Sequence, residues 1–358
     1  MRLATIEVET PVGAVERVGA VDPDDTDAAD DPIASGDTDD DPLASGGNDE
    51  DHLAGARTTE DAIVDLTAAR GALLAAEGEP SPVELAHAQL PPDMIALVAR
   101  GDRGLDAARE ALAFAAETDR ERGPNGARLR YGSGEYRLLA PLPRPNSLRD
   151  CMAIEAHVEN TMGADEIPDV WYDQPVYYKG NPDSVVQPGE TVDWPAYSDT
   201  MDYELEIAAV VGPGGRDVPA EAAADHIFGY TIFNDFSARD AQLSEMQAQL
   251  GPAKGKDFAN GLGPYLVPAE DVDVLDAQMT ARVNGERWST GSVGEMFHSF
   301  PEIVEHVSQS ETLYPGDVIG SGTVGEGCGL ELGRWLEDGD EIELAVEGIG
   351  TLTHRIAT

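Results

Sequence analysis

Residues 1–20 alternate apolar and polar positions on either side of Pro11-Val-Gly13, which predicts a pair of strands joined by a turn. Ala62-Ile-Val-Asp-Leu-Thr-Ala-Ala-Arg70 follows, and then two helical patterns over about 82–99 and 103–118. The first carries Val83, Leu85, Ile95, Leu97 and Val98; the second is Ala-rich with Leu105, Ala108, Leu112 and Ala115 on one face. Gly123-Pro-Asn-Gly126 closes this part, and Pro141-Leu-Pro-Arg-Pro145 reads as a stiff linker. Beyond it the texture changes to short strand patterns between Gly/Pro turns, over 202–211, 228–235, 281–284, 341–347 and 351–356. Brief helices are expected near 147–161, 238–248 and 301–308. The pattern predicts an α+β chain, mostly β. A smaller α/β N-terminal domain (1–140) precedes a mixed β-roll or barrel domain (141–358), and the sheet is not doubly wound.

Between the first strands and the first helix the pattern vanishes. Residues 22–51 hold 13 Asp/Glu and no Lys or Arg, with near-copies Asp31-Pro-Ile-Ala-Ser-Gly36 and Asp41-Pro-Leu-Ala-Ser-Gly46. Such low-complexity sequence buries too little apolar surface to offset the entropy of ordering, so 22–60 is expected to be a disordered insertion. The ligand spacing of a calcium loop is missing from it.

Charge extends well past the insertion. The chain has 69 acidic and 23 basic side chains, net −46; without the 13 acids of the insertion, 56 acids still face 23 bases, or −33. That balance argues against nucleic acid and anionic membrane surfaces as partners. No apolar run is long enough to span a bilayer and the first residues lack a signal core, so a cytoplasmic location is expected. Self-repulsion on this scale suits molar salt, where the Debye length is about 3 Å, and 20 of the bases are Arg. A salt-accumulating, haloarchaeal cytoplasm is the expectation. Two cysteines, Cys151 and Cys328, make neither a disulfide framework nor a cysteine zinc site. No glycine-rich phosphate motif follows a strand, and the cluster Gly320-Ser-Gly-Thr-Val-Gly-Glu-Gly-Cys-Gly329 reads as a mobile or tightly turned active-site loop.

Against this acidic background the informative carboxylates are those in apolar surroundings. Glu204 and Glu206, at i and i+2 of a strand pattern, share a face. They fit either a divalent cation between them or a wet acidic edge. Asp235 ends the next apolar run, with Ser237 placed to cap a helix on which Arg239 and Gln242 lie three apart. Asp150 precedes His157 by seven residues, which would put both on one side of a helix. Asp150, Glu204, Glu206 and Asp235 would form an all-oxygen site of the kind Mg²⁺, Mn²⁺ or Ca²⁺ prefers. Lys254 and Lys256 stand out because the chain holds only three lysines.

Four collinear blocks resemble the signatures of the fumarylacetoacetate hydrolase family. They are Asp202-Tyr-Glu-Leu-Glu-Ile207, Asn234-Asp-Phe-Ser-Ala-Arg-Asp-Ala-Gln242, Gly251-Pro-Ala-Lys-Gly-Lys-Asp-Phe258 and Pro315-Gly-Asp-Val-Ile-Gly-Ser-Gly-Thr323. The resemblance spans about 145–358 and implies a β-roll catalytic domain, a homodimer, and Mg²⁺ or Ca²⁺ held by Asp150, Glu204, Glu206 and Asp235. It implies that His157 is the general base activating water and that Glu331 orients it. Lys256, Arg239, Gln242 and Tyr178 would contact substrate, and Thr323 would bind a substrate carboxylate. The activity implied is hydrolysis of a C–C bond in a 1,3-diketo acid, fumarylacetoacetate or an acylpyruvate. The alternative is a lyase of the same fold that dehydrates a 2-keto-3-deoxy sugar acid, or that decarboxylates or isomerises a 2-oxo diacid. One departure is visible: the Arg that fumarylacetoacetate hydrolases carry shortly after the His is replaced by Ala164-Asp-Glu-Ile-Pro168.

Overall fold

The computed structural model describes residues 1–22 and 61–358; the acidic insertion expected at 22–60 falls outside them except for Asp22. Asp22 is buried and paired with Arg130.

The alternating N-terminal run forms the predicted hairpin, Leu3–Thr10 against Gly13–Val21. Leu3–Thr10 then pairs on its other side with Asn260–Pro268, so the sheet continues from the N-terminal region into the C-terminal one. Among the described residues, twelve strands share this sheet. Its central run places Asn260–Pro268, Ile227–Asn234, Leu205–Val211, Asp317–Gly320, Ser147–Cys151 and Tyr177–Gly180 side by side. A second, five-stranded sheet holds Met279–Val283, Glu286–Gly291, Glu341–Val346, Gly350–Ala357 and Thr191–Asp193.

Leu205–Val211 is buried on both faces. Ile207, Ala209 and Val211 join the core shared with the second sheet, including Met279, Leu344 and Leu352. Ala208 and Val210 pack instead into a core with the N-terminal helices, through Leu66, Leu97 and Leu105. The first of those helices, Leu66–Ala76, is capped by Asp65, whose carboxylate accepts from Ala68 N at 2.8 Å. No helix among the described residues is long and apolar enough to cross a membrane.

Three local expectations change. The helix expected over 82–99 is two, Pro82–Gln89 and Met94–Val98, because Pro91-Pro92 cannot continue the first and Asp93 caps the second. The helix expected over 147–161 begins only at Glu155, and Ser147–Cys151 is a strand between Asp317–Gly320 and Tyr177–Gly180. Long-range pairing overrides the local pattern there, so Asp150 and His157 do not share a helix. Ser237 does not cap the Arg239–Met246 helix, which starts from Ala238; its hydroxyl donates to Asp235 O at 3.0 Å.

Candidate active site

Strand register gathers the carboxylates. Asp150 lies opposite Gly320 on one side and Tyr178 on the other, and Gly320 pairs in turn with Ala208, two residues beyond Glu206. Gly320 must lack a side chain: a Cβ there would stand 2.4 Å from Asp150 Oδ1 and 3.0 Å from Glu206 Oε2. Glu204 precedes the Leu205–Val211 strand in an isolated bridge to Cys328, and Asp235 follows the Ile227–Asn234 strand. Asp150, Glu204, Glu206 and Asp235 each offer an oxygen within 4.8 Å of the others, and all four residues are buried.

Two cations partly balance them. Lys256 Nζ donates to Glu204 Oε2 at 2.5 Å and to Asp235 Oδ2 at 2.6 Å. Arg239 donates to Asp202 Oδ2 (2.7 Å), Glu204 Oε1 (2.8 Å) and Gln242 Oε1 (3.0 Å), the last within the one helical turn the spacing predicted. Tyr178 donates its hydroxyl to Asp235 Oδ2 at 2.6 Å.

The electrostatics divide the cluster. Burial opposes the charge of Glu204, yet Lys256 and Arg239 hold its pKa well below the usual carboxylate range. Burial raises Asp150 and Glu206, and their negative neighbours, Asp235 above all for Asp150 and Asp150 for Glu206, raise them further. Asp235 is pushed up to about 6 by burial, with Lys256 limiting the rise. Glu206 Oε1 and Asp235 Oδ1 are buried without a hydrogen-bond partner among the described residues. Buried acceptors left unpaired, on crowded carboxylates, are what a hard dication bound by oxygen would satisfy. The donor set fits such an ion.

His157 and Glu331 stand at the same cavity in their own pair. His157 Nδ1 and Glu331 Oε1 are 2.5 Å apart; a carboxylate only accepts, so Nδ1 carries the proton, and in the neutral ring Nε2 is then the acceptor. Glu331 is fixed by Asn160 Nδ2 at 2.6 Å and Glu326 N at 2.8 Å. Burial works against its charge, but these bonds, led by that from His157, lower its pKa. The Cys328 thiol lies 3.5 Å from Glu331 Oε1, with its own pKa raised by burial, so it is no thiolate.

A cavity of about 240 Å³ is lined by Asp150, His157, Tyr178, Glu204, Glu206, Arg239, Gln242, Lys256 and Thr323. Nine residues singled out in the sequence thus meet at one space, with Asp235 bonded to Tyr178 and Lys256 and Glu331 bonded to His157. Thr323 engages Leu205 through its hydroxyl, accepting from N at 3.2 Å and donating to O at 3.3 Å. The glycine cluster supplies a tight turn: Gly322 has φ +79°, and a Cβ there would stand 2.4 Å from Cys151 O.

Asp202 is the residue the sequence reading missed. Fully buried, it accepts from Gly329 N (2.6 Å), Leu330 N (3.0 Å), Tyr203 N (2.9 Å) and Arg239 Nε. It therefore ties the short Gly329–Leu332 helix that carries Glu331 to the arginine beside Glu204. Its signal was present: Asp202, Glu204 and Glu206 occupy alternate positions in an apolar segment.

The sequence model of the fumarylacetoacetate (FAA) hydrolase C-terminal family matches residues 148–357. Over 276 residues the chain is 34% identical to the oxaloacetate tautomerase YisK of Bacillus subtilis (strain 168), covering 75% of this chain and 87% of that protein. Its fold is similar to that of a fumarylacetoacetate hydrolase from the psychrophile Exiguobacterium antarcticum, with TM-score 0.64 and 23% identity over 99% of each chain. It is also similar to Pseudomonas aeruginosa fumarylpyruvate hydrolase, a structure in complex with Mn²⁺ and pyruvate. There the TM-score is 0.53 and the identity 26%, over 62% of this chain and 91% of that one.

Proposed function

Since the chain belongs to the fumarylacetoacetate hydrolase family, we propose that it is a divalent-metal-dependent hydrolase that cleaves a C–C bond in a 1,3-diketo acid. The observation that carries this reading is the His157–Glu331 pair set beside four converging carboxylates. Asp150, Glu204, Glu206 and Asp235 would hold Mg²⁺ or Mn²⁺, and the ion when bound would polarise the dicarbonyl as a Lewis acid.

The chain's own groups do the rest. Glu331 fixes the tautomer of His157, which lines the cavity, so that Nε2 serves as the base and takes a proton from water. The water oxygen adds to the acyl carbonyl carbon, and the bond from that carbon to the central CH₂ breaks with its electron pair left on the CH₂. Lys256 and Arg239 lie within the cavity where that charge develops. His157 returns its proton to the CH₂ carbon, so an acylpyruvate and water give a carboxylic acid and pyruvate.

A second reading is proton transfer without cleavage, in which His157 interconverts the keto and enol forms of a 2-oxo diacid. The 34% identity to an oxaloacetate tautomerase favours it.

Full-length protein in molar KCl with Mg²⁺ should bleach the enol absorbance of an acylpyruvate, and product analysis should find one acid plus pyruvate. Faster enol loss without new products would favour the second reading. Cleavage that survives exhaustive chelation would defeat both.

A further inference from the structure

The charge of the substrate's far arm can be read from what the cavity offers it. Besides its carboxylates and cations, the cavity is lined by Met152, Val176, Tyr177, Met246 and Pro252. Met246, 44% exposed on the Arg239–Met246 helix, marks the mouth. Arg239 and Lys256 are the only cations among the described residues lining the cavity, and both are already committed to acids. Of the remaining lysines, Lys179 pairs with Glu311 and Lys254 does not line the cavity.

With a dication bound, Asp150, Glu204, Glu206 and Asp235 would all be held ionised; with Asp202 they count −5, and Arg239 and Lys256 count +2, leaving −3 from the protein. The dication brings this to −1, before any substrate enters. A carboxylate at the end of the substrate's acyl arm would meet mostly apolar carbon and a net negative field, with no uncommitted Lys or Arg among the described residues lining the cavity.

Building on the diketo-acid reading, we infer that the preferred substrate is a monoanionic 2,4-dioxo acid whose acyl arm is uncharged and apolar. Met152, Val176, Met246 and Pro252 select that arm by burying it.

The test uses the Mg²⁺-loaded full chain in molar KCl. Across 2,4-dioxo acids with lengthening alkyl arms, kcat/KM should rise about fourfold per methylene until the arm reaches the mouth. That factor corresponds to about 0.8 kcal/mol per buried CH₂. An arm of equal length ending in a carboxylate should be at least tenfold poorer. Binding is measured separately by calorimetry with two six-carbon probes, 2-oxohexanoate and 2-oxoadipate, and 2-oxohexanoate should bind at least tenfold tighter. Met246→Arg should narrow or reverse that preference. If no 2,4-dioxo acid is cleaved while the binding order holds, the hydrolase reading falls and the arm assignment stands. Tighter binding of 2-oxoadipate by the wild type, or a preference for 2-oxohexanoate that Met246→Arg leaves unchanged, overturns it.

Discussion

Asp202→Asn isolates the strut between Glu331 and Arg239. The substitution keeps shape and leaves one side-chain oxygen, which can continue to accept from Gly329 N and Tyr203 N. The new NH₂ then replaces the oxygen that accepts from Leu330 N and Arg239 Nε, so donors face donors. A buried amide left unsatisfied costs about 1–3 kcal/mol, and a lost hydrogen bond to a charged group about 1.5–3 kcal/mol. Together these predict about 2.5–6 kcal/mol, which brackets the roughly 3–5 kcal/mol found when one partner of a buried ion pair is removed. Urea unfolding at constant molar KCl is the suitable assay, because guanidinium would itself screen this acidic chain. The midpoint should fall with little change in slope. Turnover should fall at least tenfold as Glu331 loses the helix that holds it. A loss below about 1 kcal/mol with turnover intact would show that Asp202 is not the strut.

Three further outcomes follow from the same geometry. His157→Ala and Glu331→Ala should each lower turnover at least a hundredfold while titration calorimetry finds metal affinity kept, whereas Glu204→Ala should weaken metal binding itself. Burial depresses the pKa of His354 from 6.5 to about 4, so between those values the unfolded chain binds more protons than the folded one. Stability from this residue is full above pH 6.5 and is lost as pH falls, by up to about 3 kcal/mol; urea unfolding of His354→Leu should show a fall that much smaller. With net charge −46, the urea midpoint should be lower at low ionic strength than in molar KCl, and an unchanged midpoint would reject the expected adaptation to salt.

What the sequence revealed was whatever is encoded locally or in a fixed spacing. The hairpin over 1–20, the Ala-rich helix near 103–118 and the strand through Glu206 each follow from a short-range period. Arg239 and Gln242 follow from one helical turn. The Asp150 strand was hidden because its identity comes from Asp317–Gly320, well over a hundred residues away, and from Tyr177–Gly180. The same holds for Asp202: its bonds run to residues 329 and 330, and no local pattern records that distance. His157 and Glu331 are 174 residues apart, and in the sequence only the family resemblance joins them. Tyr178 gained its place from lying opposite Asp150 in the sheet.

The two cations at the carboxylate cluster explain why a chain that favours Arg keeps a Lys here. Arg239 spans three acceptors on different elements, Asp202, Glu204 and Gln242, which suits a planar fork with donors in several directions. Lys256 bridges two carboxylates converging on one point, Glu204 and Asp235, at 2.5 and 2.6 Å, which suits a compact ammonium. A guanidinium would need room beyond the terminal nitrogen, and that room is bounded by Tyr178 on the same Asp235 oxygen and by Arg239 on the other Glu204 oxygen. The backbone before it is equally constrained, since a Cβ at Gly255 would stand 2.5 Å from Gln242 Cβ. Each cation therefore has a shape set by its acceptors, and the buried exception to the chain's Arg preference, Lys256, falls where two carboxylate oxygens leave space for only one nitrogen.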